Sequence, residues 1–291
     1  MIPILQLLFA VVIWGWSFVA TKICLGHLSP ADLLGLRMLI ALPILFVLTK
    51  VKRVPFDLDA STIRRMALGS LIITAHFLIQ ITGIKYTTAT NTGWIISVTP
   101  LVTVVLSYFF LREKIHLSQL IGIVVATTGI LLLVSRGKIG DLDWLKSTGD
   151  WLVLASAHTW AIYTVVTRDL ARSRPPLLVT LGVLLPTAVV MLGYMLLFSD
   201  WSSFRHLPTD VIVALLVLSV LATALAHWFW QEGVAGLGAA RAGIFLYLEP
   251  IATTTLAVPL LKEPFGTLSA LGGALVLLGV YIAQRQRGKN R

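Results

Sequence analysis

Charged residues are scarce in this chain. Aspartate, glutamate, lysine and arginine make up 12% of the 291 residues, whereas they make up about a quarter of a typical soluble domain. Hydrophobic residues make up 57%, and the mean hydropathy is +0.89. This composition excludes an ordinary soluble domain and predicts an integral membrane protein.

Acidic residues are fewer than basic residues, 13 against 23, which gives the chain a net charge of +10. Such an excess can indicate a nucleic-acid-binding surface. Here, however, the basic residues lie in short connections between apolar runs and not on one face, and basic connections orient a polytopic protein in its membrane. We therefore expect the lipid bilayer, and no nucleic acid, as a partner.

Cysteine and the common catalytic motifs are also nearly absent. Cys24 is the single cysteine, so it cannot form an internal disulfide. No Walker, HExxH or nucleophile-elbow pattern occurs. Two Asp-Leu-Asp pairs, Asp57/Asp59 and Asp141/Asp143, fall on opposite sides of the membrane in the topology predicted below. We expect no catalytic residues, no metal and no cofactor.

Long apolar runs are abundant. Crossing a bilayer as a helix takes about 20 apolar residues, and the runs lack the alternation of barrel strands. We predict an all-α integral membrane protein with ten transmembrane helices. No basic segment precedes the first run, so we expect a retained span and not a signal peptide. The ten runs are 3–23, 31–49, 66–84, 89–111, 117–135, 149–168, 176–198, 210–232, 239–261 and 266–284.

The basic residues predict the orientation. With a cytoplasmic amino terminus, the inside segments hold 14 lysines and arginines and the outside segments hold 7. Because cytoplasmic loops carry the basic excess, both termini are predicted to be cytoplasmic.

One stretch of the sequence occurs twice, at 91–129 and 241–279. Shared hydrophobicity would match leucine with leucine, but not proline with proline and glutamate with glutamate, so we infer an internal duplication. At an offset of 146 the first span also matches the sixth, with Trp14 opposite Trp160 and Pro30 opposite Pro176. Identical residues recur at 93/243, 100/250, 103/253, 106/256, 111/261, 113/263, 122/272 and 129/279.

Each half then has five spans, and an odd number places the second half upside down relative to the first, as in many secondary transporters. We predict two inverted five-helix repeats, 1–135 and 149–284. A polar linker, 136–148, joins them, and a basic cytoplasmic tail, 285–291, follows.

These features resemble a known family over essentially the whole chain. The first half contributes Trp14, Ser17, Lys22, Pro30, Arg37, Pro100, Leu-Arg-Glu at 111–113, Gly122 and Gly129. The second half contributes Trp160, Pro250, Leu-Lys-Glu at 261–263, Gly272 and Gly279. The pattern is similar to the EamA-type branch of the drug/metabolite transporter superfamily, and the tryptophan-rich spans resemble its YddG-type exporters of aromatic amino acids and amphipathic cations. The resemblance implies ten helices, cytoplasmic termini and export of small metabolites from a central cavity between the repeats.

Glu249 is the most deeply placed acidic residue, and it precedes Pro250 near the middle of the ninth span. A charge at the bilayer centre costs about 2.5 to 3.5 kcal/mol on insertion scales, so such residues are candidates for function. Two interpretations stay open. The carboxylate binds a substrate amine or carries a proton, or it forms a structural ion pair with Arg37 or Arg241.

Polar and aromatic residues on shared helix faces are the other candidates. His76 and Gln80 form a stripe that lines a cavity or joins neighbouring helices. His227 makes a similar, weaker case. Deep tryptophans can stack a ring or hold an ammonium group, worth about 2 kcal/mol when desolvated, but they can also simply pack. The predicted substrate-binding residues are Trp14, Ser17, His76, Gln80, Asn91, Trp94, Trp160, Tyr163, Tyr247 and Glu249.

The matched prolines Pro100 and Pro250 are predicted gating hinges, one in each repeat. The sequence thus predicts a secondary transporter of the bacterial inner membrane. It would export small amphipathic metabolites, chiefly neutral or aromatic amino acids and also organic cations, by alternating access. An organic-phosphate or nucleotide-sugar exchanger, an enzyme acting on a lipid-linked substrate and a structural or signalling protein remain alternatives. A monomer would suffice.

Overall fold

The computed structural model describes residues 2–135, 147–261 and 267–284, and every helix named here lies within these ranges. Five helices form the first half, and the fourth is broken after its eighth residue. They are α1 (Ile2–Cys24), α2 (Pro30–Val51), α3 (Ala60–Tyr86), α4 (Ala89–Ile96 followed by Thr99–Leu111) and α5 (Leu117–Ser135).

Five further helices form the second half, and two of them are irregular. They are α6 (Thr148–Ser173), α7 (Pro176–Phe198), α8 (Thr209–Leu216, then a π-helical Val217–Leu225, then Ala226–Leu237), α9 (Ala239–Gly243, then a 3₁₀ turn Ile244–Leu248, then Glu249–Leu261) and α10 (Thr267–Gln284).

The helices begin at polar residues that satisfy free backbone N–H groups. Before α2, the Ser29 hydroxyl accepts a hydrogen bond from the backbone N–H of Asp32 at 3.1 Å. At α6, Ser147 and Asp150 form a reciprocal capping box. Such caps stabilise a helix start by about 1 kcal/mol, so they fix where these two spans enter the membrane.

Within the described ranges, seven helical stretches are long and apolar enough to cross a membrane. Two further apolar helices are shorter, Leu117–Leu132 and Ala270–Gln284. α6 is 26 residues long and carries no Asp, Glu, Lys or Arg between residues 151 and 167. The described residues therefore contain the ten predicted spans, and the predicted all-helical membrane fold is confirmed.

The repeated glycines show that equivalent helices run in opposite directions. A methyl group on Gly122 of α5 would lie 2.5 Å from the carbonyl oxygen of Gly279 in α10. One on Gly129 would lie 2.7 Å from the carbonyl oxygen of Gly272. Early residues of one helix thus meet late residues of the other, so the pair is antiparallel. Small residues permit this close approach of the two backbones.

The broken helices α4 and α9 are paired in the same way. A methyl group on Gly93 would lie 3.0 Å from the Thr253 hydroxyl oxygen, and one on Gly243 would lie 2.9 Å from the Thr103 methyl. Gly243 and Thr103 are the repeat equivalents of Gly93 and Thr253. The second contact is therefore the first with the two repeats exchanged. This is the contact pattern expected of inverted repeats.

The other helix contacts also match when each helix is replaced by its equivalent in the other repeat. α3 packs against α6 and α7, and its equivalent α8 packs against α1 and α2. Likewise α1 packs against α9, and α6 packs against α4. The predicted linker 136–148, except for its last two residues, and the predicted tail 285–291 lie outside the described residues, as do Lys262 and Glu263.

Candidate functional site

A central cavity lies between the repeats, and the space in it that no protein atom fills, its opening included, is about 480 Å³. Its lining in α1 and α3 comes from the second halves of those helices, so it extends toward the membrane face at which both helices end. The lining residues are Trp14, Ser17, Phe18, Thr21, Arg37, His76, Phe77, Gln80, Ile96, Thr99, Trp160, His227, Leu246 and Glu249.

Two tryptophans at equivalent positions of the repeats meet in this cavity. The rings of Trp14 and Trp160 pack edge to face with their centroids 4.8 Å apart. Trp14 also lies 5.4 Å from Trp230, and its indole N–H donates to the carbonyl oxygen of Ala222 at 2.9 Å. The hydrogen bond fixes the Trp14 ring, so the cluster presents rigid aromatic surface.

Two histidines flank the Trp160 ring, with centroid distances of 5.0 Å for His76 and 5.6 Å for His227. The Nδ1 atom of His76 lies 3.0 Å from the carbonyl oxygen of Ser156, and that of His227 lies 2.8 Å from the carbonyl oxygen of Ala222. A carbonyl oxygen can only accept, so both Nδ1 atoms carry the proton. In the neutral imidazole each Nε2 atom is then a hydrogen-bond acceptor.

Arg37 brings a buried cation to the cavity, with 4% of its surface exposed. Its Nε and Nη2 atoms donate to the Thr223 hydroxyl at 3.2 and 3.0 Å, and its guanidinium lies 5.1 Å from the centre of the Phe77 ring. The Thr223 hydroxyl donates in turn to the carbonyl oxygen of Leu218, five residues back in the π-helical part of α8. Such π segments are frequent at functional sites, and this one positions the partner of the arginine.

Glu249 is equally buried, at 4% exposure, and it lies where α9 resumes regular helical geometry. Its backbone packs closely on α1, because the Thr253 hydroxyl lies 2.8 Å from the carbonyl oxygen of Glu249 and 2.9 Å from that of Gly15. The described residues contain no ion pair between Glu249 and either Arg37 or Arg241. Arg241 instead donates to Gln284.

Both predicted hinge prolines lie just after a break in a helix. α4 is interrupted at Ser97 and Val98, and Pro100 is the second residue of its second segment. α9 passes through a 3₁₀ turn, and Pro250 is the second residue after it. Proline lacks the N–H that would continue the helix, so the breaks occur where the sequence places the prolines.

Three polar atoms of cavity residues have no hydrogen-bond partner among the described residues. They are the Thr99 hydroxyl, the Trp160 indole nitrogen and the Nε2 atom of His227. Buried polar groups are normally hydrogen-bonded. One N–H donor, one acceptor and one hydroxyl of the cavity residues thus have unused hydrogen-bonding capacity in this structure.

A family model described as the EamA-like transporter family matches residues 1–135 and 147–284. This chain belongs to that family.

Curated relatives of this EamA-like transporter are similar over nearly their whole length. The uncharacterized transporter YetK of Bacillus subtilis is 30% identical over 286 residues, which are 94% of this chain and 84% of the relative. The uncharacterized transporter YyaM of the same organism is 27% identical over 92% of this chain and 89% of the relative. The probable amino-acid metabolite efflux pump of Escherichia coli is 28% identical over 94% and 92%.

A solved crystal structure superposes on this EamA-like transporter with a TM-score of 0.78 at 21% identity, and the match covers 97% of both chains. At this identity the likeness concerns the fold. Together with the family match, it establishes a multi-pass membrane protein of a transporter family.

The central cavity brings six of the ten predicted substrate-binding residues together. His76 and Gln80, predicted from one helix face, both line it, and Gly83 on the same face packs against α6 instead. The other four are Trp14, Ser17, Trp160 and Glu249.

Two predicted residues lie near the cavity without lining it. The Asn91 amide donates to the Asp150 carboxylate at 2.6 Å, which joins the start of α4 to the start of α6. Tyr163 packs against Trp160, and its hydroxyl accepts a hydrogen bond from Gln231 at 2.8 Å. The structure gives both residues contacts that hold the helices around the cavity together.

The last two predicted residues, Trp94 and Tyr247, line a second space, which we name the lateral groove. The space in it that no protein atom fills, its opening included, is about 490 Å³. It is lined by Trp94, Ser97, Val98 and Leu101 of α4, Thr127, Ile130 and Leu131 of α5, and Tyr247 of α9.

Several cavity residues lie outside the predicted substrate-binding set. Arg37 was considered as an ion-pair partner of Glu249, and His227 as a weaker candidate, and both line the cavity. Thr99 precedes Pro100 just as Glu249 precedes Pro250, so the duplication itself offered a signal for it. The π-helical turn that places Thr223 against Arg37 has no signal in the sequence.

Charged residues near helix ends join the ends of neighbouring spans. The Glu113 carboxylate pairs with Arg168 at 3.2 Å and accepts from the backbone N–H of Ala240, at the start of α9, at 3.0 Å. The repeat-equivalent of Arg168, Lys22, donates to backbone carbonyls at the end of α3, including that of Ile84 at 2.9 Å. Each residue satisfies backbone groups that a helix end leaves free.

Proposed function

We propose that this EamA-like transporter exports small amphipathic metabolites, chiefly neutral or aromatic amino acids, by alternating access through the central cavity. One observation carries the proposal: a buried carboxylate, Glu249, and a buried guanidinium, Arg37, line the same cavity without pairing with each other. An α-amino acid carries the complementary charges on adjacent groups. The name of the Escherichia coli relative, a probable amino-acid metabolite efflux pump, supports the same substrate class.

In the proposed complex, Glu249 binds the substrate ammonium group and Arg37 binds its carboxylate. Hydrogen bonds to charged groups are worth about 1.5 to 3 kcal/mol each, and a guanidinium suits a carboxylate because it can donate two parallel bonds. The edge-to-face pair of Trp14 and Trp160, with centroids 4.8 Å apart, provides the aromatic surface against which the substrate side chain packs. This surface favours aromatic side chains, as in YddG-type exporters, and organic cations by cation–π attraction.

The two main alternatives fit the cavity less well. An exchanger of organic phosphates or nucleotide sugars needs several cations around the phosphate. Among the described residues that line the cavity, Arg37 is the one lysine or arginine. An enzyme acting on a phosphorylated lipid would need free carboxylates for a metal. Asp57 and Asp59 instead pair with Arg174, at 2.7 and 3.5 Å, and Asp141 and Asp143 lie outside the described residues.

We place the protein in the inner membrane of a bacterium, with both termini in the cytoplasm. The excess of basic residues on the side of the termini supports this orientation. The central cavity then extends toward the outer face, where α1 and α3 end. Export requires the cavity to open alternately to each side, and the broken helices α4 and α9 are the segments proposed to move.

Efflux from loaded proteoliposomes tests the proposal. Purified protein is reconstituted with a panel of radiolabelled solutes inside the vesicles: phenylalanine, tryptophan, leucine, a quaternary ammonium compound and a sugar phosphate. We expect aromatic and neutral amino acids to leave faster than from protein-free vesicles, and the sugar phosphate to leave at the protein-free rate. Efflux of the sugar phosphate alone would establish the exchanger alternative instead. Repeating the assay with an imposed pH gradient separates proton-coupled from facilitated transport.

A further inference from the structure

We propose that the lateral groove holds an acyl chain of a membrane phospholipid. The groove is separate from the central cavity, and the two share none of the residues that line them. Its walls come from three membrane-spanning helices: α4, α5 and α9.

The rim of the groove faces the hydrocarbon of the bilayer. Leu101 on α4 is 45% exposed and Leu131 on α5 is 49% exposed, and apolar residues on the outer surface of a membrane-spanning helix contact lipid. Further along α4, Val105, Phe109 and Phe110 continue the same exposed apolar surface. The groove is therefore an indentation of the lipid-facing surface, and lipid is the occupant that this surface offers it.

The inner end of the groove is apolar in effect, although three hydroxyl groups line it. The Tyr247 and Thr127 hydroxyl oxygens lie 3.0 Å apart and hydrogen-bond to each other. The Ser97 hydroxyl donates to the backbone carbonyl of Trp94. These groups have partners already, so they do not require a polar ligand. An amino acid would have to bury its charges here without compensation, whereas a hydrocarbon chain has no polar group to desolvate.

The groove and the central cavity are separated by the breaks in α4 and α9. On α4, Ile96 and Thr99 line the cavity, while Ser97 and Val98 between them line the groove. On α9, Tyr247 lines the groove, between Leu246 and Glu249, which line the cavity. A bound acyl chain therefore packs against the two turns about which the repeats are expected to move.

Photocrosslinking from the lipid tests this site. The protein is reconstituted in phosphatidylcholine that carries a diazirine near the end of one acyl chain, then irradiated and mapped by peptide mass spectrometry. Tyr247 decides the outcome, because it is 1% exposed and lipid on the outer surface does not reach it. We expect an adduct on Tyr247. Adducts confined to rim residues such as Leu101 and Leu131 would overturn the proposal.

A pair of tryptophan substitutions on α4 supplies the control. Leu101→Trp fills the groove, and we expect it to reduce the Tyr247 adduct to the level seen without irradiation. Val105→Trp adds the same ring one turn further along, on an exposed position outside the groove, and should leave the adduct unchanged. Equal labelling of Tyr247 in the two variants would contradict the proposal. If Leu101→Trp does not fold, judged by its thermal melting, Leu131→Trp fills the groove from α5. None of these measurements depends on the transported substrate, so failure here leaves the proposed function untouched.

Discussion

At the scale of single residues, the central cavity is defined by its unpaired charges. A buried ion is costly unless it is paired or serves a function. The Arg37 guanidinium is stabilised by hydrogen bonds to the Thr223 hydroxyl and by the face of Phe77, and Glu249 has no ion-pair partner among the described residues. The ion-pair interpretation of Glu249 is therefore not supported, and the carboxylate remains available to a ligand.

The first prediction concerns that carboxylate. Glu249→Gln keeps the side-chain shape and removes the charge, so the substrate ammonium loses its counter-ion. Such a hydrogen bond is worth about 1.5 to 3 kcal/mol, and we expect KM for amino-acid efflux to rise by about 10- to 100-fold.

Glu232→Gln is the matched control for this prediction. The Glu232 carboxylate accepts a hydrogen bond from the Trp228 indole at 3.0 Å and does not line the cavity. We expect it to leave KM unchanged. Equal effects of the two substitutions would show that Glu249 acts through the structure alone.

At the scale of helices, function is concentrated where regular geometry is interrupted. α4, α8 and α9 each contain a break, a π-helical stretch or a 3₁₀ turn, and each irregular element places a polar residue in the cavity. In a bilayer such backbone is tolerated where protein or a cavity surrounds it. Thr99, His227 and Glu249 all lie at or beside such a segment.

The second prediction concerns the break in α9. Pro250→Ala restores a backbone N–H, so the helix can extend through the 3₁₀ turn and resist bending. We expect the maximal efflux rate to fall by about tenfold, which corresponds to about 1.4 kcal/mol of barrier, with a smaller change in KM. Pro259→Ala, an exposed position nine residues further along α9, should keep the wild-type rate. An unchanged rate in Pro250→Ala would argue against a hinge at this residue.

The third prediction concerns the close packing of α5 on α10. In Gly122→Ala the new methyl group would lie 2.5 Å from the Gly279 carbonyl oxygen, so the helices must separate. Overpacking of this kind costs about 1 to 3 kcal/mol, and we expect that loss in the free energy of unfolding, measured by denaturant titration in detergent.

Gly193→Ala is the control, because a methyl group there meets no atom within 4 Å. Alanine favours a helix over glycine by up to about 1 kcal/mol, so this variant should be as stable as the wild type or more so. Destabilisation of both variants by the same amount would contradict close packing at Gly122.

At the scale of the whole molecule, the inverted repeat decides where the cavity lies. Equivalent helices cross near a pseudo-two-fold axis, and Trp14 meets its repeat equivalent Trp160 there. The repeats differ at that axis, because Thr99 in one corresponds to Glu249 in the other. The fold is symmetric while the charges in the site are not, so a substrate can be held in one orientation.

The fourth prediction concerns orientation in the membrane. Cys24 is buried, so labelling of the natural chain by a membrane-impermeant maleimide should be weak. In intact cells we expect His27→Cys, in the connection between α1 and α2, to be labelled. Arg53→Cys, in the connection between α2 and α3, should be labelled only after the membrane is permeabilised. The reverse pattern would place both termini outside and make the central cavity extend toward the cytoplasm.

The sequence by itself determined the membrane class, the spans and the duplication. These follow from the length of apolar runs and from identities at a fixed offset, and neither depends on how the helices pack. The duplication also singled out the glycines at which α5 packs on α10, because glycine recurs at 122/272 and 129/279. His76 and Gln80 were grouped correctly because α3 is regular, so their spacing of four residues fixes a shared face.

Only the tertiary structure decided which residues meet. Trp94 and Tyr247 are predicted substrate-binding residues, yet they line the lateral groove and not the central cavity. Tyr247 lies two residues before Glu249, so the two side chains leave the helix on different sides, and the packing of the helices decides which side faces the cavity. Arg37 and Thr223 are 186 positions apart, and their contact arises from the packing of α2 on a π-helical turn. Such contacts depend on backbone geometry that local sequence patterns do not encode.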